Sequence, residues 1–537
     1  MAALFLVLAT WGNLDLKQDR AFLFMDELIV HNGTRAILDA PDRASFWRAV
    51  FDGGDHRYGR VLWNVTALAS SLPYRIWGVP GLIVATRTTL TTCLLCAYAL
   101  LACVFLRSWP FRTVALAAMC ALPCSAYYFT MPKPEPLQLL FYALFFSFAR
   151  KRGFRFGWHW LFMGLAFGAK ISALTATAVC GALALTVALA APPGTGRFAR
   201  ELRSVAVAIL SFLAGWIIAV PIIASFDRSL YSSYWHWTFG MTTHGLDNAS
   251  VTPLTWVRAF LDGSLFWESL NPRFVAAVTA LGALALLAYF ATRLTEKRRV
   301  IEWLQDEVLL LCALAFVTTA PIMLVIKRLW GIYLHAGMVF AVLAILLAVE
   351  RLWRRYLAGP VRRSIAGGLS WAVVIPACAF FAVSPAAEVY ARSAHRTRSE
   401  EHLWQAAVLE DGRRLLNELE AGRGPGAAAK PLEVIYDPYL YLPDSSARIH
   451  VETTWGPFGR WDESIDVIVL TTRQQMKLLL SEPLSAVLPE SRADYQDSLS
   501  AQAAYRRMVR DPTPTFVLLR ILRGEAYVFV NRRLRPP

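Results

Sequence analysis

A succession of long apolar segments limits the fold of this chain more than any other feature. A helix needs about 20 mostly apolar residues to cross a bilayer, and such segments recur through residues 1–386. Of the 537 residues, 56% are hydrophobic and only 17% are charged, which is far more apolar than a soluble globular protein. We therefore predict an α-helical polytopic membrane protein with about 11 transmembrane helices.

The predicted membrane spans follow one another with short connections. They cover residues 80–106, 114–131, 136–149, 158–170, 172–192, 204–226, 273–292, 307–326, 329–350 and 365–386. An apolar run at 1–12 is short for a span and lacks the basic start of a signal peptide. We interpret this run as the stub of a first helix.

The distribution of Lys and Arg predicts which loops face the cytoplasm. Eighteen of these residues lie in the loops 107–112, 150–157, 193–203, 293–303 and 351–363. Basic loops stay on the cytoplasmic side, so the less basic segments 13–60 and 227–272 are predicted to be outer loops. The net charge of +15 follows from the same topology signal, and the chain has no nucleic-acid-binding motif.

After about residue 387 the sequence loses its spanning segments and becomes richer in charge. Short strand-like pieces appear, such as PLEVIYD, SIDVIVLTT, PTFVLLRI and EAYVFVNRR, beside the helical pattern HLWQAAVLEDGRRLLNELEA. We predict a transmembrane module over 1–386 and a small soluble α/β domain over 387–537. Counting helices from a cytoplasmic N-terminus places this domain outside the cytoplasm.

Carboxylates at the predicted outer membrane edge are the first candidates for chemistry. Asp26 and Glu27 follow the first apolar run, and Glu135 lies in the Pro-rich stretch FTMPKPEPLQLLF between two predicted helices. A carboxylate there can accept a proton from a hydroxyl group and make its oxygen nucleophilic. Acidic residues are also favoured in first helical turns, so charge alone leaves a structural role open.

Cations that interrupt apolar sequence near the same face are the second group of candidates. Lys170 lies in GLAFGAKIS, and Lys327 and Arg328 lie in IKRLWGIYLH. Because ionisable groups at membrane depth are costly and cations on the outer side oppose the positive-inside rule, they indicate an anionic ligand headgroup. Snorkelling of either lysine to the interface is the structural alternative.

The order of these motifs resembles that of the GT-C integral membrane glycosyltransferases, especially protein O-mannosyltransferases and lipid A aminoarabinose transferases. In that family an acid follows the first helix and a second acid begins the fourth, as Asp26 and Glu135 do here. The segments HRYGRVLWN, VATRTTL, GLAFGAKIS and IKRLWGIYLHAGMVF are similar to further family motifs. This chain departs from the family at Glu135, where Asp is frequent, and at His56-Arg57-Tyr58, where His-Pro-Pro is frequent.

The resemblance implies an inverting transfer of a sugar from a polyprenyl-phosphate donor to an acceptor hydroxyl on the outer membrane face. Asp26 is then the base, with Glu27 sharing its proton, and Glu135 is a further catalytic carboxylate. The residues implied to bind the donor phosphate are Lys170, Lys327, Arg328, Arg57 and Tyr333. Lipid, polysaccharide and protein acceptors stay open, and the Arg- and Ala-rich composition weakly favours a bacterial inner (plasma) membrane, with the site facing the periplasm.

Other classes of site and function receive less support from the sequence. Cys93 and Cys96 have the spacing of metal ligands, but they lie in an apolar predicted helix and the chain has no second such pair. We therefore predict no metal site and no cofactor. Dependence on a divalent metal is left open. A transporter or flippase of lipid-linked sugar is the main alternative, although the chain shows no internal repeat. Transfer of phosphoethanolamine or an acyl group ranks last, because no nucleophile motif is present.

Overall fold

The protein is described by a computed structural model that is mostly helical and contains one small sheet. The described residues are 25–51, 59–190, 197–221, 251–262, 265, 272–296, 302–303, 305–325, 331–357, 400–422, 432–436, 448–451, 464–471, 514–524 and 526–534. Two compact units divide the chain. The first comprises Val30–Arg75 and Leu82–Arg392 with the N-terminal Met1–Asn13, and the second comprises Ser393–Pro537 with Leu14–Ile29 and Ile76–Gly81.

The helices of the membrane part differ widely in length. In chain order they are α1 (Met25–Leu38), α2 (Arg43–Phe51), α3 (Arg60–Trp77), α4 (Val79–Phe105), α5 (Trp109–Ala121), α6 (Pro123–Thr130), α7 (Glu135–Lys151), α8 (Trp160–Ala169), α9 (Ala173–Ala190), α10 (Arg197–Ala219), α11 (Pro253–Leu261), α12 (Pro272–Leu294), α13 (Glu307–Val325) and α14 (His335–Leu357). A 3₁₀ turn at Gly331–Leu334 leads directly into α14.

Six helical stretches in the described part of the chain are long and apolar enough to cross a membrane. They are Val79–Phe105, Ala173–Ala190, Phe198–Ala219, Ala276–Leu294, Glu307–Leu324 and Gly331–Tyr356. The predicted fold class, a polytopic helical membrane protein, is confirmed. The predicted spans 1–12 and 365–386 lie outside the described residues.

Other predicted spans take shorter forms. The segment 114–131 is not one continuous helix, because the chain breaks at Leu122, where α5 ends and Pro123 begins α6. Proline fits the first position of a helix but not its interior. The segment 158–170 contains the ten-residue helix α8, and the predicted outer loop 227–272 contains α11.

Helices α8 and α10 approach closely because glycines line their contact. A Cβ atom at Gly164 would overlap the carbonyl of Phe212, and a Cβ atom at Gly215 would overlap the carbonyl of Leu161. Small residues of this kind allow helix backbones to come together in membranes. The contact fixes the position of α8, whose C-terminal end carries Lys170.

We expect Gly215→Ala to destabilise the membrane unit, because the added methyl group meets the Leu161 carbonyl and overpacking costs about 1–3 kcal/mol. The matched control is Gly181→Ala in α9, where a Cβ atom would lie 3.7 Å from the Trp160 ring, an ordinary contact. The control should keep or raise stability, since Ala favours a helix over Gly. Thermal unfolding in detergent, followed by size-exclusion chromatography, measures both variants. A Gly215→Ala protein as stable as wild type would contradict the close contact.

A network of ion pairs joins α12, α13 and α14. Asp306 accepts hydrogen bonds from the Tyr289 hydroxyl (2.6 Å), an Arg351 nitrogen (3.0 Å) and the backbone N–H of Val308 (2.8 Å). Arg351 also pairs with Glu307 at 2.6 Å. Asp306 is buried, so these bonds satisfy a carboxylate that would otherwise be costly to bury.

The variant Asp306→Asn should therefore be less stable than wild type. It keeps the side-chain shape but removes the negative charge between α12 and α14, which leaves Arg351 with Glu307 as its remaining acid. We expect a loss of about 1–3 kcal/mol, below the cost of breaking a fully buried pair because Arg351 is partly exposed. Glu302→Gln, at an exposed position, is the control for thermal unfolding. Equal unfolding temperatures for the two variants would show that the network adds no stability.

The second unit contains α15 (Glu400–Ala421) and a five-stranded sheet. The strands are β1 (Glu433–Tyr436), β2 (Arg448–Val451), β3 (Val467–Thr471), β4 (Phe516–Leu522) and β5 (Ala526–Asn531), in the order β2-β1-β3-β5-β4. The pairs β1–β2 and β1–β3 are parallel, whereas β3–β5 and β4–β5 are antiparallel. All four strand-like sequences contain strands, but β2 was not predicted. The proposed domain boundary at residue 387 lies outside the described residues.

Candidate active site

A Pro-rich junction places Glu135 at the start of α7. Prolines alternate with Lys133 and Glu135 in the sequence MPKPEP, and Pro134 is the N-cap residue of α7. Proline lacks an N–H group, which a helix does not need at its first positions. Both intervening charged residues are buried, Lys133 at 5% and Glu135 at 8% exposure. The junction therefore presents a buried carboxylate with a buried cation beside it in sequence.

Lys170 lies at the break between α8 and α9. Its backbone is extended (φ −157°, ψ 128°) and ends α8, which leaves its carbonyl group available to other donors. The Nε2 atom of Gln138 donates to this carbonyl and to the Ser172 hydroxyl, each at 3.1 Å. Gln138 is one turn beyond Glu135 on α7. The same helix therefore carries the carboxylate and bonds to the backbone at the break between α8 and α9.

The two charged side chains form an ion pair. The Nζ atom of Lys170 contacts Oε1 of Glu135, and their side chains are only 22% and 10% exposed. The same Nζ atom lies 5.7 Å from the centre of the Tyr333 ring, within the range of a cation–π interaction. Charges that are screened this little by water act more strongly on each other and on a charged ligand.

Helix α6 positions the turn that carries Tyr333. The Tyr128 hydroxyl donates to the carbonyl of Ile332 at 3.1 Å, and the Cys124 thiol donates to the carbonyl of Gly331 at 3.2 Å. The backbone N–H of Gly331 in turn donates to the carbonyl of Leu265 at 3.1 Å. Two side chains of α6 and the carbonyl of Leu265 therefore hold the backbone of the 3₁₀ turn, which fixes where the Tyr333 ring meets Lys170.

Three of the eight predicted site residues come together in the structure: Glu135, Lys170 and Tyr333. Asp26 and Glu27 lie in the first turn of α1, but their side chains are outside the described part of the chain. Arg57, Lys327 and Arg328 lie outside the described residues altogether. The catalytic and phosphate-binding roles of all eight stay predictions.

Two buried arginines were given no role in the sequence analysis. Arg60 and Arg87 are each 1% exposed, and the Cζ atom of Arg60 lies 4.9 Å from the centre of the Trp63 ring. The sequence carried a signal for Arg87, since it is a lone cation inside a predicted span, where charged residues are rare and usually functional. Both arginines lie in the motifs HRYGRVLWN and VATRTTL.

A second cluster of charges lies at the opposite end of α7. Glu135 begins this helix and Arg150 is near its end, about 22 Å away at 1.5 Å per residue. Arg150 pairs with Glu307 and lines a cavity of 1130 Å³ together with Arg107, Arg293 and Arg351. These cavity residues come from four of the loops predicted to be cytoplasmic, or from helix ends beside them. The Glu135–Lys170 pair and the basic loops therefore occupy different ends of the helices.

Two solved structures resemble the chain over nearly its whole length. Both are of ArnT from Cupriavidus metallidurans, a lipid A aminoarabinose transferase of GT-C type. The structure bound to undecaprenyl phosphate has a TM-score of 0.55 at 13% sequence identity, and the apo structure has 0.56 at 14%. Each comparison covers 99% of this chain and 98% of the other. These similarities show a GT-C glycosyltransferase-like membrane fold.

The sequence itself matches no protein-family model, and no curated protein matches it significantly.

The ion pair predicts a stability coupling between α7 and α8. Removing one partner leaves a buried charge uncompensated, so Glu135→Gln and Lys170→Met should each lower the unfolding temperature. The double variant should lose less than the sum of the single losses, with a coupling energy of about 1–3 kcal/mol.

Thermal unfolding of the four proteins in one detergent completes this double-mutant cycle. Lys151→Met, at an exposed lysine on the far end of α7, is the control for removing a cation and should change little. Strictly additive losses would mean that the two side chains do not interact in the folded protein.

Proposed function

We propose that the protein is a glycosyltransferase that moves a sugar from a polyprenyl-phosphate donor to an acceptor hydroxyl, with inversion at the anomeric carbon. The observation that carries this proposal is the buried Glu135–Lys170 pair beside Tyr333, within a GT-C-like fold. The ArnT structure with the same fold holds undecaprenyl phosphate. Lys170 is a partly buried cation in surroundings of low dielectric constant, and the phosphate of a membrane lipid is the ligand that suits such a cation best.

In this proposal Lys170 binds the phosphate of the donor. Its ammonium group has three donor hydrogens, and one is directed at Glu135. The others are available to phosphate oxygens. Glu135 then orients the ammonium group, and Lys170 neutralises the charge that grows on the phosphate as the sugar leaves. Arg57, Lys327 and Arg328 are proposed to add positive charge at the same phosphate.

Asp26 is the proposed base, with Glu27 sharing or tuning its proton. The acceptor hydroxyl loses its proton to the Asp26 carboxylate as its oxygen attacks the anomeric carbon. A new carbon–oxygen bond forms while the bond between the anomeric carbon and the phosphate oxygen breaks. The polyprenyl phosphate leaves with the bonding electrons.

The proposed reaction takes place at the outer face of a bacterial inner membrane. The ion pair lies at the end of α7 opposite the arginine-lined cavity, and the positive-inside rule assigns the basic loops to the cytoplasm. Lipid, polysaccharide and protein acceptors all carry suitable hydroxyl groups. In this proposal the segment 387–537 is a soluble extracytoplasmic domain.

The test compares sugar transfer by purified wild-type, Asp26→Asn and Lys170→Gln proteins. Radiolabelled undecaprenyl-phosphate sugars serve as donors, and a membrane extract supplies acceptors. Loss of the base should lower turnover at least about 100-fold while donor binding stays unchanged. Lys170→Gln should instead weaken binding of undecaprenyl phosphate about tenfold or more, because a charge-assisted contact is lost.

Asp42→Asn is the matched control for an Asp-to-Asn change, since Asp42 is exposed and its carboxylate accepts hydrogen bonds from Ser45 at the start of α2. It should keep full activity. Full activity of Asp26→Asn would rule out this residue as the base. A protein that binds the lipid-linked sugar and moves it across the liposome membrane, but transfers no sugar to an acceptor, would instead support the transporter alternative.

A further inference from the structure

A buried series of hydrogen bonds links four helices of the first unit. The Nε2 atom of His335, at the start of α14, lies 2.6 Å from the Tyr98 hydroxyl of α4. The Tyr98 hydroxyl lies 2.6 Å from the Ser125 hydroxyl of α6, which donates to the carbonyl of Met119 at 2.6 Å. All three side chains are buried, and His335 is only 1% exposed.

The Met119 carbonyl, where this series of hydrogen bonds ends, determines which group donates in each of them. Ser125 has one hydroxyl hydrogen, and the Met119 carbonyl can only accept it. Tyr98 must therefore donate its own hydrogen to the Ser125 oxygen. The Tyr98 oxygen is then an acceptor toward His335, so Nε2 of His335 carries the hydrogen. The 3.4 Å approach of Ser125 to the same Nε2 atom fits this assignment.

The other ring nitrogen of His335 is consequently an acceptor. A neutral imidazole has one N–H group, and a charged ring without a paired anion is costly to bury. The Nδ1 atom is buried and has no hydrogen-bond partner among the described residues. An unsatisfied buried acceptor is costly, so a ligand group that donates a hydrogen bond to Nδ1 would relieve that cost.

His335 lies next in the chain to the 3₁₀ turn that carries Tyr333 and places it against Lys170. Its ring also packs on the ring of Tyr128, with 4.7 Å between the ring centres, and the Tyr128 hydroxyl bonds to the same turn at the Ile332 carbonyl. The Oε2 atom of Glu135 is a second buried acceptor with no hydrogen-bond partner in the described part of the chain. The two buried acceptors thus belong to Glu135 and to a residue two positions from Tyr333.

We propose that Nδ1 of His335 accepts a hydrogen bond from a hydroxyl of the donor's sugar. This inference rests on the proposed function and adds the recognition of the sugar to it. Phosphate oxygens at neutral pH are mainly acceptors and do not satisfy Nδ1. The group joined directly to the phosphate is the sugar, whose hydroxyls are donors. The hydrogen bonds of Tyr98 and Ser125 hold the ring in the tautomer that this contact needs.

The test separates binding of the sugar from binding of the lipid phosphate. Affinities are measured in nanodiscs for undecaprenyl phosphate and for two glycosylated forms, which carry glucose and aminoarabinose. His335→Gln is the key variant, because its amide nitrogen can replace Nε2 as the donor to Tyr98 while the Nδ1 acceptor is removed. His335→Asn is the complementary variant, since its amide oxygen can take the place of Nδ1.

Wild type should prefer at least one glycosylated lipid over bare undecaprenyl phosphate. His335→Gln should lose about tenfold in affinity for that lipid, while its affinity for undecaprenyl phosphate is unchanged. His335→Asn should lose less affinity for the same glycosylated lipid than His335→Gln does. Tyr98→Phe should weaken the preference for the sugar less than His335→Gln does, because it removes the tautomer control and leaves Nδ1 in place.

An unchanged sugar preference in His335→Gln would overturn the inference. A parallel loss of affinity for all three lipids would do the same, since that result indicates a purely structural histidine. Wild type that binds the bare and glycosylated lipids equally would exclude sugar recognition but leave the phosphate site standing. Wild type that binds none of the three would overturn the proposed function as well.

Discussion

The buried contact between Glu135 and Lys170 is the interaction on which the arrangement of the membrane unit around it depends. It joins the first residue of α7 to the residue that ends α8, and both positions are helix boundaries made by local sequence. Prolines set one boundary and the extended conformation of Lys170 sets the other. Such a pair is expensive to desolvate, and removing either partner alone would leave an uncompensated buried charge where α7 meets the end of α8.

The sequence predicted the parts of the structure that depend on local pattern. Apolar segments near 80–106, 172–192 and 307–326 correspond to α4, α9 and α13, because span length and hydropathy are properties of a single segment. The sequence also predicted that Glu135 and Lys170 lie at the same membrane face, but not that their side chains form an ion pair. The shared face follows from the side of the membrane on which each charge lies, which the basic loops indicate.

Features that depend on tertiary contacts could not be read in this way. Tyr98 and His335 are separated by 237 positions, and nothing local indicates that they meet. Strand β2 is only four residues long, with two apolar positions, which is too short for a period-two pattern. The ten-residue α8 is shorter than a spanning helix, and its placement depends on glycine contacts with α10.

The most direct test of the account is an experimental structure of the full chain in nanodiscs with undecaprenyl phosphate. We predict the lipid phosphate within hydrogen-bonding distance of Lys170 Nζ, beside the Tyr333 ring, with Glu135 still in contact with Lys170. Phosphate bound elsewhere, for example in the arginine-lined cavity at the far end of α7, would contradict it.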